Sequence, residues 1–359
     1  MNLFFFLMSI LYGILKFLHI DFVPFTSHGY PIGLWIAHLI VAVVEVILVF
    51  ALAMLVVVIL VYVFRKYMAD VQNRIGPNRL GPWGSLQLIA DVFKLIQKQD
   101  IIPTAADKTA YRVAPYLVFT PVVIGFMIIP FGNVSLLNLM VINFNYTILF
   151  LVATMIISPV GEIIGGLSSH NKYGMLGALR AAAQDMSYEV PMLISLISVI
   201  ILAGSFNAQD IVIAQRHIPF VVPEFLGFII FFLAVLGKQV FPPFDLPESA
   251  SELVSGYSTE YSGMRYGIFY MGGFAGTALA SLVIATIYFG GWEGPIFPGT
   301  IWLIIKAGVF MLIFLLIQVS VFRVRVDQFL DMGWKYLLPL SIVNLFISVG
   351  FALFAGGVF

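Results

Sequence analysis

The chain contains no cysteine, and only 10% of its 359 residues are charged. The missing thiols exclude disulfides, cysteine-ligated zinc, iron–sulfur clusters bound by this chain and thiol nucleophiles. Soluble domains carry about 25% charged residues, whereas 61% of this chain is hydrophobic and its mean hydropathy is +1.04. One water-soluble core cannot bury so many apolar side chains. A soluble enzyme, a disordered chain and a nucleic-acid-binding protein are therefore excluded, and the composition indicates a bilayer protein.

Other familiar signals are also missing. The net charge is zero and indicates no class of partner. The chain has no internal repeat, which argues against the transporters that are built from repeated halves. Its N-terminal apolar stretch lacks the early positive charge and cleavage site of a signal peptide. The five histidines show no metal-ligand spacing: His19, His28, His38, His170 and His217.

Long apolar stretches predict an all-α polytopic membrane protein, because each span of about 20 apolar residues must satisfy its backbone hydrogen bonds as a helix. Residues Met1–Leu18 predict an additional N-terminal hydrophobic helix that either spans the membrane or lies in the interface. We expect eight core transmembrane helices: Leu34–Phe64, Val113–Phe131, Tyr146–Leu167, Tyr188–Ser205, Pro223–Phe241, Met264–Phe289, Thr300–Phe322 and Lys335–Ala355.

Basic residues predict the orientation of the spans. Apart from Lys238 and Lys306, which belong to spans, the Lys and Arg residues lie almost entirely in the loops of one side, and only Lys16 and Arg216 lie on the other. The positive-inside rule places the charged loops in the cytoplasm, and we expect the inner (plasma) membrane. The predicted organisation is an N-terminal segment (1–33) and a single membrane domain (34–359) with cytoplasmic loops at 65–112, 168–187, 242–263 and 323–335.

The first of these loops contains two Gly-Pro turns and then a segment with helical spacing. In Ser85–Gln99 the apolar residues recur on one side, while Asp91, Lys94 and Lys98 fall near one polar side. This pattern predicts an amphipathic helix at the membrane interface. Such a helix either contacts lipid headgroups or forms a docking platform for another subunit.

Ionisable residues are concentrated in two places. Four carboxylates stand in the third loop, where they tend to raise one another's pKa: Asp245, Glu248, Glu252 and Glu260. Others lie within spans, each at a cost on the order of 3 kcal/mol at mid-bilayer: Glu45, Glu162, Glu189, Glu224, Lys238 and Lys306. Glu189 and Glu224 lie near helix starts, where a carboxylate complements the helix dipole, and Lys238 lies near a membrane boundary, where a lysine can reach water. The positions of Glu45 and Glu162 have no such structural explanation. We expect these two to face protein or water and to transfer protons.

Three loop motifs resemble those of one family, the quinone-tunnel membrane subunit of complex I. The resemblance covers about Arg65 to Met311, in order and with family-like spacing. The motifs are Gln72-Asn73-Arg74-Ile75-Gly76-Pro77-Asn78-Arg79 with the later Ala90-Asp91, the segment Ser168–Glu189, and Pro243-Phe244-Asp245-Leu246-Pro247-Glu248 with Gly256-Tyr257 and Glu260-Tyr261-Ser262-Gly263.

The resemblance implies a component of a proton-translocating quinone oxidoreductase that is not catalytic alone. It would bind no cofactor; quinone would be the substrate, and an iron–sulfur cluster in a peripheral partner would supply electrons. Further partners would be small membrane subunits and antiporter-like subunits, with no nucleic acid. The implied quinone chamber or its mouth comprises Arg65, Arg74, Asp91, Arg180, Phe244 and Asp245. The predicted proton path comprises Glu45, Glu162, Glu189, Glu224, Lys238, Glu248, Glu252 and Glu260.

The chain departs from the family at three positions. Phe64 and Lys238 stand where the family usually has Glu, and Ala250 stands where a third loop Glu is common. We therefore expect Glu162, with Glu45 as a second candidate, to replace the lost carboxylates and Lys238 to pair with one of them. A buried Lys beside a Glu would stay charged and gate protons electrostatically.

Two alternative functions remain open at this point. The membrane anchor of an energy-converting hydrogenase would have no quinone, and Lys238 lends it some weight. A stand-alone secondary transporter is disfavoured by the missing repeats and the long loops. The electron donor, whether NADH, ferredoxin or reduced F420, is not specified by the sequence.

Overall fold

The structure is a computed structural model that describes residues 32–132, 142–239, 241–294 and 299–354, with side chains from residue 43 onward. The predicted N-terminal helix at Met1–Leu18 lies outside the described residues. Twelve helices follow one another within these ranges, and the described residues include no strand: α1 (Ile32–Val71), α2 (Gln87–Gln97), α3 (Lys108–Ile128), α4 (Thr147–Ser168), α5 (Lys172–Ala203), α6 (Ala208–Ala214), α7 (Phe225–Lys238), α8 (Ala250–Leu253), α9 (Gly263–Tyr288), α10 (Gly299–Ser320), α11 (Val326–Asp331) and α12 (Leu338–Phe354).

Seven helical segments are long and apolar enough to cross a membrane, which confirms the all-helical polytopic fold. They are Val43–Val71, Lys108–Ile128, Thr147–Ser168, Lys172–Ala203, Gly263–Tyr288, Gly299–Ser320 and Val326–Phe354. The last joins α11 and α12 through a π-helical turn at Met332–Leu337. The one other expected span, Pro223–Phe241, contains α7, whose 14 residues extend about 21 Å at the helical rise, less than the hydrocarbon thickness of about 30 Å.

Two helices extend into segments that the sequence assigned to loops. The 40-residue α1 continues past Phe64 to Val71, and the 32-residue α5 begins at Lys172 rather than at Tyr188. Asn171 caps α5, because its side chain accepts a hydrogen bond from the Tyr173 N–H at 3.0 Å. The following segment is rich in alanine, the strongest helix former. The predicted loop at 168–187 is therefore mainly helix.

Helix α9 provides the centre of the core. Nearly all of its residues from Phe274 to Tyr288 are buried, and small side chains such as Ala278 and Ala285 let neighbouring helices approach closely. The outward faces of α1, α10 and α12 are apolar and exposed, with Ile47, Ile304 and Phe346 as examples. Such faces are typical of helices that contact lipid.

Helix α2 coincides with the predicted amphipathic segment. Its Leu88 is buried, whereas Ile89, Phe93 and Ile96 are exposed. A Cβ on Gly267 of α9 would lie 3.0 Å from the Leu95 side chain, so α2 packs against α9. The location of this helix at the membrane interface stays a prediction.

Candidate functional site

Four ionisable side chains meet where α4, α5 and α7 converge, and we call Glu162, Asp185, Glu189 and Lys238 the lysine cluster. The Lys238 Nζ lies 2.7 Å from the Asp185 Oδ1, with only 6% and 12% of the two side chains exposed. Glu162 is 8% exposed and interacts electrostatically with Lys238 and Asp185. The Glu189 carboxyl lies one helical turn from Asp185 and interacts electrostatically with Asp185 and Lys238.

A small polar cavity adjoins the cluster. It is lined by Glu162, Gln184, Asp185 and Lys238, with Pro159, Ala181 and Pro247 completing its wall. It offers about 10 Å³ to the centre of a water molecule, which is room for about one water. The Gln184 Oε1 is buried and has no hydrogen-bond partner among the described residues.

Lys238 does not form the ion pair that the sequence suggested. The expected partner was Glu162 or Glu45, but the structure pairs Lys238 with Asp185. The physical reason is the contact between α7 and α5. Gly237 lies so close to α5 that a Cβ there would be 2.5 Å from the Tyr188 ring, which directs the next side chain toward Asp185.

The acidic loop, residues 242–263, adds a fourth carboxyl beside the lysine cluster. Glu248 is partly buried, and the Tyr257 and Ser258 hydroxyls lower the pKa of its carboxyl. Burial and the neighbouring Asp245 charge outweigh this effect and raise the pKa of Glu248 to about 7. A carboxyl in this range exchanges its proton near neutral pH, and the Glu248 charge also acts on Glu162.

Ion pairs hold the acidic loop at two further points. Arg180 on α5 binds Glu252, and its hydrogen bond lowers the pKa of that carboxyl. The Arg323 Nε lies 3.1 Å from the Asp245 Oδ1, although burial still raises the pKa of Asp245. Phe244 is buried with its ring centroid 4.9 Å from that of Phe329. Arg180 and Asp245 thus belong to the two ion pairs of the loop, and Phe244 packs against Phe329.

Arg65 and Asp91 form a second group. Their side chains make an ion pair between α1 and α2 and are each about one-third exposed. Arg65 also interacts with Tyr270 on α9. The structure does not bring Arg74 into this group, because Arg74 is exposed and its Nε donates to the Gln72 Oε1 at 2.7 Å.

The remaining predicted residues are dispersed. Glu260 accepts a hydrogen bond from the Asn171 Nδ2 at 2.6 Å. Glu45 is partly exposed on α1 and forms no hydrogen bond or ion pair with the described residues. Glu224 is 1% exposed and lies at the start of α7, about 21 Å along the helix from Lys238.

Two polar groups within the spans have clear structural roles. Glu224 accepts hydrogen bonds from the Asn344 Nδ2 at 2.8 Å and from the Ser348 hydroxyl, both on α12. The Lys306 Nζ donates to the backbone carbonyls of Phe289, Gly291 and Glu293 at 2.7, 2.9 and 2.7 Å. A lysine in this position satisfies carbonyls just beyond the C-terminal end of α9. Its burial therefore has an explanation that needs no proton transfer.

Comparison with known proteins identifies the family. The family model described as NADH dehydrogenase matches residues 43–349. The H subunit of the NADH-quinone oxidoreductase of Methylococcus capsulatus is 41% identical over 290 residues, which cover 80% of this chain and 90% of that protein. The chain belongs to the NADH dehydrogenase family of complex I membrane subunits. The residues that match the family model include the three loops that carry the charged side chains described above, 65–112, 168–187 and 242–263.

The sequence of this NADH dehydrogenase family member did not predict three side chains of the site, those of Asp185, Arg323 and Asn344. Asp185 stands four residues before Glu189, a spacing that places both on one face of a helix, but the composition of the segment resembles that of a loop. Arg323 and Asn344 lie far along the chain from the partners they bind. No local pattern indicates those contacts.

Proposed function

We propose that this chain is the quinone-chamber and proton-coupling membrane subunit of a complex I-like oxidoreductase. The observation that carries the proposal is the 41% identity to the H subunit of an NADH-quinone oxidoreductase over most of both chains. The chain would not be catalytic alone. Electrons would reach quinone from an iron–sulfur cluster in a peripheral partner, and antiporter-like and small membrane subunits would complete the assembly in the inner membrane, with the charged loops in the cytoplasm.

The geometry supports two linked parts of this function. Arg65 and Asp91, between α1 and α2, form the polar wall of the proposed chamber mouth, with Arg74 exposed nearby in sequence. Arg180, Phe244 and Asp245 belong to the loop side of the same chamber. Because a quinone headgroup is polar and its tail is apolar, a site between partly exposed charges and a membrane helix suits it.

The proposed proton path begins at the acidic loop and continues into the membrane. Glu248, which titrates near neutral pH, interacts with Glu162, and Glu162 interacts with Asp185 and Lys238. Asp185 and Lys238 in turn interact with Glu189. Buried carboxyls that interact with one another and with a cavity are suited to receiving and passing protons. Glu252 and Glu260 would transfer protons at the end of the path in the acidic loop. Glu45 and Glu224 would transfer protons in parts of the path farther from this loop.

A tagged form of this chain, purified with its complex, tests the proposal. We expect iron–sulfur subunits to copurify, and a photoreactive quinone analogue to label the segments 65–98 or 242–263, with labelling competed by excess unlabelled quinone. A nickel-containing partner and no quinone labelling would identify a hydrogenase-type anchor. Purification of the chain without partner subunits would favour a transporter.

A further inference from the structure

Lys238 is the one cation in a group of four ionisable side chains. Glu162, Asp185 and Glu189 supply three carboxyls to the lysine cluster, and the ion pair with Asp185 compensates only one of them. Charges in a low-dielectric interior interact strongly. The positive charge of Lys238 therefore favours the ionised forms of Glu162 and Glu189, whereas the negative charge of Asp185 favours their protonated forms.

The end of α7 is held firmly against α5, which keeps this cation in place. The Gln184 Nε2 donates to the Gly237 carbonyl at 2.6 Å and to the Phe244 carbonyl at 3.1 Å. The contact of Gly237 with the Tyr188 ring leaves no room for a Cβ. Lys238 is thus carried by a fixed helix end and not by a mobile loop.

The surroundings of Lys238 are not those of a purely structural ion pair. Apart from Asp185, the Lys238 Nζ has no acceptor among the described residues, and the buried Gln184 Oε1 has no partner there. Both residues line the cavity. A buried pair that serves packing alone usually has its remaining hydrogen-bonding groups satisfied. Here the two residues that carry the unsatisfied groups line the same cavity as Glu162.

We propose that Lys238 is a positioning residue of the proton path: its fixed charge, balanced by Asp185, sets the pH at which Glu162 and Glu189 exchange their protons. This inference rests on the proposed function for its physiological meaning, but the electrostatic relationship is measurable without turnover. The titratable groups that face Glu162 are Lys238, Asp185 and, from the acidic loop, Glu248 and Tyr257. Those that face Glu189 are Lys238 and Asp185.

The test is an infrared pH titration of the purified complex. The difference between each form and its Glu162→Gln counterpart isolates the carboxyl signal of Glu162. The midpoint is the pH at which half of the Glu162 carboxyls are ionised. We expect Lys238→Met to raise this midpoint by about one pH unit or more, because the variant loses a nearby positive charge that favours the ionised form. Asp185→Asn should lower the midpoint, and the double variant should return it to near the original value.

The exposed ion pair between Lys335 and Asp331, with the Lys335 Nζ 2.6 Å from the Asp331 Oδ2, provides a matched control. Lys335→Met should leave the Glu162 midpoint unchanged, while Lys238→Arg should keep it near the original value. The pH dependence of proton pumping should shift in the same directions as the titration. A structural role alone would lower the yield of the complex without producing shifts of opposite sign.

Several results would overturn the inference. One is an unchanged midpoint in Lys238→Met; another is a shift of the same sign in both single variants. If Lys238→Met does not assemble, the downward shift in Asp185→Asn and its cancellation in the double variant decide the question. Failure of the proposed function is a separate result: an unaltered complex that binds no quinone, whatever the titration shows.

Discussion

Arg65 on α1 and Asp91 on α2 form an ion pair that joins the longest helix among the described residues to the amphipathic helix. Both side chains are about one-third exposed, so the pair itself contributes about 1 kcal/mol or less to stability. Its position between two helices beside Tyr270 is better suited to orienting a polar ligand. Variants of the assembled complex can test this role and the other contacts of the site.

Replacing Asp91 by Asn should weaken quinone binding more than it weakens assembly. The unpaired Arg65 guanidinium loses its orienting partner, and we expect the KM for quinone to rise about 10-fold, equivalent to about 1.4 kcal/mol. Steady-state kinetics at several quinone concentrations measure this. Lys335→Met, which breaks an exposed ion pair elsewhere, is the control. An unchanged KM in Asp91→Asn would place the pair outside the chamber.

Replacing Glu162 by Gln should separate quinone reduction from proton transfer. The amide keeps the size of the side chain but cannot release a proton, so we expect quinone reduction to continue with proton pumping lowered about 10-fold or more. Parallel measurements of quinol formation and proton translocation in proteoliposomes compare the two activities. Full pumping with normal quinone reduction would remove Glu162 from the path.

Glu248 should make stability depend on pH below neutrality. Burial raises its pKa from 4.5 to about 7, so the folded protein binds this proton more tightly than the unfolded chain does. The free energy of unfolding contributed by this group therefore falls as the pH rises from about 4.5 to about 7. Thermal unfolding of the complex across this window should show the decline, and Glu248→Gln should reduce it.

Glu252→Gln provides the comparison for that experiment. The hydrogen bond from Arg180 lowers the pKa of Glu252, so this carboxyl is already ionised above about pH 5 in both folded and unfolded chains. Its removal should leave the decline between about pH 5 and pH 7 intact. If Glu248→Gln and Glu252→Gln flatten the curve equally, the effect does not arise from the burial of Glu248.

Glu224 should tolerate Gln but not Leu. Leu would leave the buried Asn344 amide with only the Ser198 hydroxyl as an acceptor, at 3.0 Å. One of its N–H groups would then lose its partner, at a cost of about 1–3 kcal/mol, and we expect less assembled complex and a lower unfolding temperature. In Glu224→Gln the Ser348 hydroxyl, which also donates to the Asn344 carbonyl at 2.8 Å, can accept from the new amide. This variant should assemble yet pump fewer protons; full pumping would limit Glu224 to the structural contact.

Gly177 should not accept a side chain. A Cβ at this position would lie 2.6 Å from the Tyr257 backbone nitrogen and 2.8 Å from the Pro247 carbonyl oxygen. Gly177→Ala should therefore displace the acidic loop from α5 and lower both quinone reduction and pumping. Gly308→Ala is the matched control, because a Cβ on Gly308 meets no atom within 4 Å. Normal activity in Gly177→Ala would contradict the close packing of loop and helix.

The sequence predicted the fold class well because hydropathy is a strong and local signal. Each span of apolar residues had to form a helix in lipid, and the described helices follow these spans closely. Helix boundaries were less accurate where polar residues continue a helix beyond the bilayer. The start of α5 at Lys172 is the clearest case, since its charged and small residues resembled a loop although they are good helix formers.

The candidate site was predictable only in part. The residue types of the acidic loop pointed to proton chemistry, and the motifs placed Arg65 and Asp91 at one site, where the structure pairs them. The partner of Lys238 was missed because it depends on how closely α7 packs against α5, which follows from Gly237 and Tyr188 together. Such a contact joins distant parts of the chain and leaves no periodic pattern.

The side-chain amide of Gln184 links the acidic loop to the end of α7. Its nitrogen bonds the carbonyls of Phe244 and Gly237 at once, and the next residue in the chain is the aspartate that holds Lys238. Hydrogen bonds weaken steeply beyond their normal length, so a displacement of Phe244 by about 1 Å would loosen this tether. A molecule that displaced the loop would therefore weaken one of the contacts that hold the end of α7 beside Asp185.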